Sequence, residues 1–229
     1  AYENKYALLY FCFEILYNGV NYTQPWAAFG AEAGTGADQQ IGFCGGAKMY
    51  TRNVWIIMWG TIYLASFKAD CFHLLSNKGT NIIENQYYRF FTGLLVHVNC
   101  FHLIINAAAL YWVLYFLDGK INEIKLMIFS LVTGSLTNMI FSMLYPNSQS
   151  IGGSPVVFSL IALMAVLQVV RKDLPGFNLN TAYGQWIAGY AILSNIPVFS
   201  KNSSTFVIHS IAFSVAFILG IIGMKINLI

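Results

Sequence analysis

The sequence predicts an all-α, polytopic membrane protein: one bundle of six transmembrane helices preceded by an N-terminal extension. Three observations predict it. Hydrophobic residues make up 57% of the 229 and charged residues 9%, against roughly half and a quarter in a soluble domain. Apolar stretches near the roughly 20 residues that cross a hydrocarbon core recur six times, enough for a single helical bundle. The 12 basic and 9 acidic residues are spread singly, for a net charge of +3, with no basic cluster of the kind that tracks phosphates. The bilayer is the expected partner and nucleic acid is not.

Residues 1–47 read as the extension. Within 1–17 an aromatic-rich run from Tyr6 is interrupted by Glu14, too short and too charged to span, so an interfacial or partner-packed helix is expected. Lys5 precedes that run, but no small-residue cleavage site follows, so a cleavable signal is not expected. From 18 to 47 the composition shifts to Gly, Ala, Asn and Gln, which reads as a linker without a phosphate-loop motif. The membrane domain is expected over 48–229. Its first span covers about 54–67, extended toward Met49, with Lys48 and Arg52 at the entrance. Residues 68–89 are long for a simple loop and predict a structured connection. The second span is expected over 98–117, the third over 123–144, and the fourth from Ser154 to just before Arg171-Lys172-Asp173. After a turn at Leu174-Pro175-Gly176, the fifth covers about 181–199 and the sixth 205–224.

Loop charges predict the orientation. One side would hold Lys5, Lys48, Arg52, Lys120, Lys125, Arg171, Lys172 and Lys225, and the other Lys68, Lys78, Arg89 and Lys201. That bias favours a cytosolic or matrix-side N-terminus, with Ser154 near the outer end of its span. Which membrane holds the protein is not encoded in these charges. Cys12, Cys44, Cys71 and Cys100 form no CxxC pair and signal neither zinc nor a disulfide framework.

Polar residues inside the spans carry the chemistry. Ser154 follows Gly152-Gly153 and precedes Pro155 at the head of a long apolar run. Alone, Ser followed by Pro reads as a helix start. The second span and its approach supply His97, His102 and Asn106, the last two at i and i+4 on one helical face. Imidazoles and amides are costly in a bilayer interior unless partnered, so they mark a functional or water-filled site. The sixth span supplies His209, followed by Ala212 and Ala216, a small-residue stripe that lets another helix approach closely. Serine as nucleophile, histidine as general base and polar donors for an oxyanion make a parts list for acyl transfer. No acidic residue occurs in spans four to six, so a dyad is expected rather than a triad. His97 and His102 lack a common face and a completing carboxylate or thiolate, so no metal is expected, and no cofactor motif is present.

These residues together resemble the rhomboid intramembrane serine proteases. The family's HxxxxHxxxN pattern is matched by His97, His102 and Asn106, its GxSx motif by Gly152-Gly153-Ser154, and its last-helix histidine by His209. The resemblance runs from about Arg52 to Lys225 and implies a six-helix rhomboid-like bundle. It implies Ser154 as nucleophile, His209 as general base, and His102, Asn106 and the Ser154 backbone N–H as the oxyanion hole. Phe158 falls where an aromatic ring stacks on the catalytic histidine. Tyr88-Arg89 resembles the aromatic-Arg pair of the first loop, and Asp118 an acidic residue near it, so an Arg89–Asp118 ion pair is expected to pin that loop. Pro155 stands where the family has glycine, as do Ala212 and Ala216, and Phe158 replaces a tyrosine.

Two function classes follow. The first is a protease that cleaves single-span membrane substrates entering laterally between spans two and five, near Trp186. The second is a rhomboid-fold protein without turnover, packed as a subunit in a larger membrane assembly, motivated by Pro155, the two extra methyls and the aromatic N-terminal segment. Asn21-Tyr22-Thr23 and Asn202-Ser203-Ser204 match glycosylation sequons, of which only the second would face outward.

Overall fold

The computed structural model describes residues 50–196 and 204–229. The expectations for residues 1–47, for the end of the fifth span and for both sequons lie wholly or partly outside them. Eight helices are present among the described residues: α1 (Tyr50–Ala65), α2 (Cys71–Leu75), α3 (Arg89–Thr92), α4 (Cys100–Leu117), α5 (Glu123–Leu144), α6 (Ser154–Val170), α7 (Ala182–Leu193) and α8 (Ser204–Lys225). Two short strands, β1 (Asn77–Lys78) and β2 (Gln149–Ser150), pair antiparallel with Asn77 opposite Ser150.

Local chemistry explains where the long helices start. The Asn99 side chain accepts from the His102 N–H at the head of α4, and Asn122 accepts from Ile124 and Lys125 at the head of α5. These caps satisfy donors that have no partner within the helix. Three helices, α4, α5 and α8, are long and apolar enough to cross a bilayer, and α6 is a shorter apolar helix of 17 residues. Helix α1 has 16 residues and α7 only 12.

Helix α6 is the axis of the bundle. Thirteen of its 17 residues are buried, as a helix that is apolar all round can be when neighbouring helices take the place of lipid around it. It packs most extensively on α8, then on α5 and α4. Helices α6 and α8 pack closely at Gly220, where an added Cβ would lie 3.2 Å from Val166. Ala216 and Ala212, one and two turns earlier, are wholly buried.

The connection before α4 is structured, as expected for residues 68–89. Asn77 is buried and its Nδ2 donates to the Ser142 and Ser150 hydroxyls, at 3.0 and 2.8 Å, which ties β1 to α5 and β2. Arg89 is 2% exposed. Its guanidinium donates to the His73 carbonyl at 2.9 Å and the Ser76 carbonyl at 3.1 Å, at the end of α2, and to the Gln86 side chain.

The expected Arg89–Asp118 pair does not form. Asp118 is exposed at the C-terminal end of α4, whereas Arg89 belongs to the segment that feeds the N-terminal end of that helix. Eighteen helical residues separate the two ends by about 27 Å at 1.5 Å per residue. Backbone carbonyls left unpaired at the end of α2 take the guanidinium instead. The loop is pinned by Arg89 without a carboxylate.

Candidate functional site

The site forms at the N-terminal mouth of α6. Gly153 is the N-cap residue and its successor Ser154 opens the helix, with Pro155 in the first turn. The Ser154 hydroxyl is not a cap, and it turns across to α8. Gly152 has φ +119°, a conformation open essentially to glycine, and a Cβ there would stand 2.7 Å from the His102 ring. The Gly152 N–H donates to the Gly93 carbonyl at 3.0 Å. The next N–H, from Gly153, donates to His97 Nε2 at 3.3 Å. Trp59 of α1 lies so close to Gly153 that an added Cβ would overlap its ring at 2.1 Å. The two glycines are therefore required by close approach on both sides.

Ser154 Oγ lies 3.0 Å from His209 Nε2. Both residues are buried, at 8% and 4% exposure. The His209 ring stacks on Phe158, with centroids 4.1 Å apart and planes 15° apart. Its other nitrogen, Nδ1, lies 2.9 Å from Asn195 Oδ1. Serine, histidine and the aromatic ring thus come together from α6 and α8, with a fourth residue from the turn after α7.

The α4 residues divide. His97 precedes the helix and sits between Trp59 and His102, each ring centroid 5.1 Å away. It supports the Gly153 backbone. His102 lies against Gly152, next to the serine. Asn106 is 1% exposed; its Nδ2 donates to the His102 carbonyl at 2.9 Å, and its Oδ1 accepts from the Tyr190 hydroxyl at 2.7 Å. One amide hydrogen of Asn106 remains for another acceptor. Asp118 is not part of this site. Among the described residues no three His, Cys, Asp or Glu side chains gather as a metal site.

Three residues of the site were not singled out in the sequence. Trp59 reads as one more apolar residue of a span, and Tyr190 as an aromatic on a helix that faces α4. Asn195, in Ser194-Asn195-Ile196-Pro197, carried one usable signal: an uncompensated amide near the end of an apolar stretch.

Apolar helices of membrane-crossing length around an enclosed serine and histidine define an integral membrane protein with a buried polar site. A family model, the Rhomboid domain, matches residues 84–226, more than half of the 229. The chain belongs to the rhomboid family, an intramembrane protease-like family that acts in the lipid bilayer on membrane proteins. A search of curated proteins finds no match.

Proposed function

We propose that this protein is an intramembrane serine protease that hydrolyses a peptide bond in single-span membrane substrates. One observation carries the reading: the 3.0 Å approach of Ser154 Oγ to His209 Nε2, within the reach a general base needs. As Oγ bonds to the scissile carbonyl carbon, its proton passes to Nε2 and the carbonyl electron pair moves onto oxygen. The resulting oxyanion is met by the Ser154 backbone N–H, His102 and the remaining hydrogen of Asn106. Collapse expels the amine, which takes the proton from His209, and water repeats the sequence on the acyl-enzyme. His97, Gly152 and Gly153 shape the loop that presents the serine, and Phe158 holds the imidazole plane.

In this reading α1, α4, α5, α6, α7 and α8 are the six spans, residues 1–47 are an extension to them, and the N-terminus is cytosolic or matrix-side. Substrate enters between α4 and α7, near Trp186, which is 48% exposed. No cofactor is invoked.

Purified protein in mild detergent is incubated with a fluorophosphonate and, separately, with a single-span substrate. Labelling and cleavage are expected in the wild type and lost in Ser154→Ala and His209→Ala. Labelling that survives Ser154→Ala overturns the assignment of the nucleophile. A folded wild type that neither labels nor cleaves overturns the protease reading and favours a non-catalytic subunit, recognised by a co-purifying membrane partner.

A further inference from the structure

We infer that Asn195 is a positioning residue that fixes the tautomer of His209, converting the expected dyad into a Ser154–His209–Asn195 chain. The inference rests on the protease reading for its consequence, but its geometry stands apart from that reading.

A neutral imidazole carries one N–H, and which nitrogen bears it follows from the partner of the other. His209 has a partner on each nitrogen: Ser154 Oγ at 3.0 Å from Nε2 and Asn195 Oδ1 at 2.9 Å from Nδ1. A hydroxyl can donate or accept, so the serine alone leaves the tautomer open. The amide does not. Asn195 Nδ2 donates to the Ala191 carbonyl at 2.7 Å, and a carbonyl only accepts. Rotating the amide by half a turn would set oxygen against oxygen there. Its oxygen must therefore face His209, where it can only accept, so the proton sits on Nδ1 and the lone pair of Nε2 points at the serine. That is the form a general base requires.

The turn that ends α7 holds Asn195 in place. Its backbone N–H donates to the Ile192 carbonyl at 3.1 Å, and Ser194 Oγ donates to the Tyr190 carbonyl at 2.6 Å. Helix C-terminal carbonyls without intrahelical donors are thus the anchor for the amide. An amide also suits the setting: it orients the ring without placing a carboxylate in an apolar bundle, where an ionised group is costly.

The contact borders a cavity of about 270 Å³ lined by Phe158, Asn195, His209, Ser210, Phe213 and Ser214. Its lining is mostly apolar, but Asn195, His209, Ser210 and Ser214 offer a water polar partners there. Truncation to alanine would let water replace the amide oxygen, so the informative variant is Asn195→Leu, which is nearly isosteric, cannot accept and keeps water out.

The test uses full-length protein carrying ¹⁵N-histidine in detergent micelles, read by imidazole ¹⁵N–¹H correlation and by the fluorophosphonate labelling rate. The wild type is expected to show His209 protonated at Nδ1. In Asn195→Leu the proton is expected to redistribute toward Nε2, and labelling and kcat to fall about 10- to 100-fold with KM unchanged, the scale of one strong oriented hydrogen bond. Asn195→Asp keeps the acceptor and is expected to retain the Nδ1–H tautomer and to label faster than the leucine variant. Protonation at Nε2 in the wild type, or an unchanged rate and tautomer in Asn195→Leu, overturns the inference while leaving the protease reading intact. A wild type with Nδ1–H that never labels overturns the protease reading and leaves the tautomer assignment standing. The wild-type spectrum decides the matter even if the leucine variant does not fold.

Discussion

The contact between Gly153 and Trp59 makes a quantitative test of how the serine loop is held. An alanine methyl at Gly153 would lie 2.1 Å from Trp59 Cζ2, 2.6 Å from Cε2 and 2.7 Å from Cη2, whereas ordinary contacts of this kind begin near 3.4 Å. The ring has nowhere to retreat. It is 0% exposed, with Trp55 5.9 Å away on one side and His97 5.1 Å away on the other. Gly153 itself has φ −76° and ψ −1°, which any residue adopts, so the backbone adds no strain and the overlap is the main cost.

Overpacking of a closed site costs typically about 1–3 kcal/mol. For a protein of this length each kcal/mol lowers Tm by roughly 2–4 °C, so Gly153→Ala is expected to melt about 2–12 °C below wild type in thermal unfolding. Trp59→Leu alone also destabilises, by about 2–4 kcal/mol, because it leaves a cavity. The indole N–H has no hydrogen-bond partner among the described residues, so that loss is one of packing. In the double variant the new methyl occupies vacated space, and a favourable coupling of at least about 1 kcal/mol is expected. Any capping penalty of alanine appears in both backgrounds and cancels. If Gly153→Ala shifts Tm equally with and without the indole, Trp59 does not buttress the loop and the reasoning fails.

Arg89→Met is expected to cost about 2–4 kcal/mol, since it leaves the buried Ser76 carbonyl and the part-buried His73 carbonyl without their donor, while Asp118→Asn changes stability by less than about 0.5 kcal/mol; a thermal-unfolding cycle that couples the two positions by more than that would contradict their separation. Tyr190→Phe strips the buried Asn106 Oδ1 of its donor and is expected to cost about 1–2 kcal/mol. Because that bond ties α4 to α7, turnover of a single-span substrate should rise relative to the labelling rate by a small fluorophosphonate, and a ratio that stays constant argues against entry between these helices. Outside the bundle, the Arg171 guanidinium hydrogen-bonds Asp173 at 2.7 and 2.9 Å and holds its carboxyl down at about 2, against an ordinary 3.8. The depressed value means the pair's contribution is fully present above pH 3.8 and is lost as pH falls through about 2. A ¹³C titration of the Asp173 carboxyl should show that midpoint, and Arg171→Gln should return it to the ordinary range.

Helices with chemical punctuation were legible from residues alone. The expected third span over 123–144 and the stop at Arg171-Lys172-Asp173 after α6 are ends that the structure matches closely, because such punctuation acts within a turn of the chain. The fifth span was drawn to residue 199, but α7 ends at Leu193. Hydropathy does not register that Ser194 and Asn195 fold back on the carbonyls of Tyr190 and Ala191. Contacts between distant segments were the least visible. Trp59 meets Gly153 and Asn195 meets His209 across loops and helices, and no local period records such meetings. The Arg89–Asp118 expectation came from positions that the family resemblance picks out, and no local period records that Arg89 turns to the carbonyls of His73 and Ser76 while Asp118 stays exposed at the far end of α4.

Pro155, Ala212 and Ala216 bear on how closely α6 and α8 approach, and the geometry shows how each is accommodated. The first N–H groups of a helix have no acceptor within it, so a proline in the first turn removes a donor the helix does not use. Val156 and Val157 still donate to the Gly153 carbonyl, at 3.0 and 3.2 Å, and the helix starts regularly. On α8 the small stripe continues from Ala212 and Ala216 to Gly220 at four-residue spacing, on one face. Glycine stands where Val166 leaves 3.2 Å for a Cβ, and the alanine methyls are wholly buried nearer the site. His209, one turn before Ala212, stacks on Phe158 and lies 3.0 Å from Ser154 Oγ. The two alanine methyls are thus accommodated within the bundle while Ser154 and His209 are in contact.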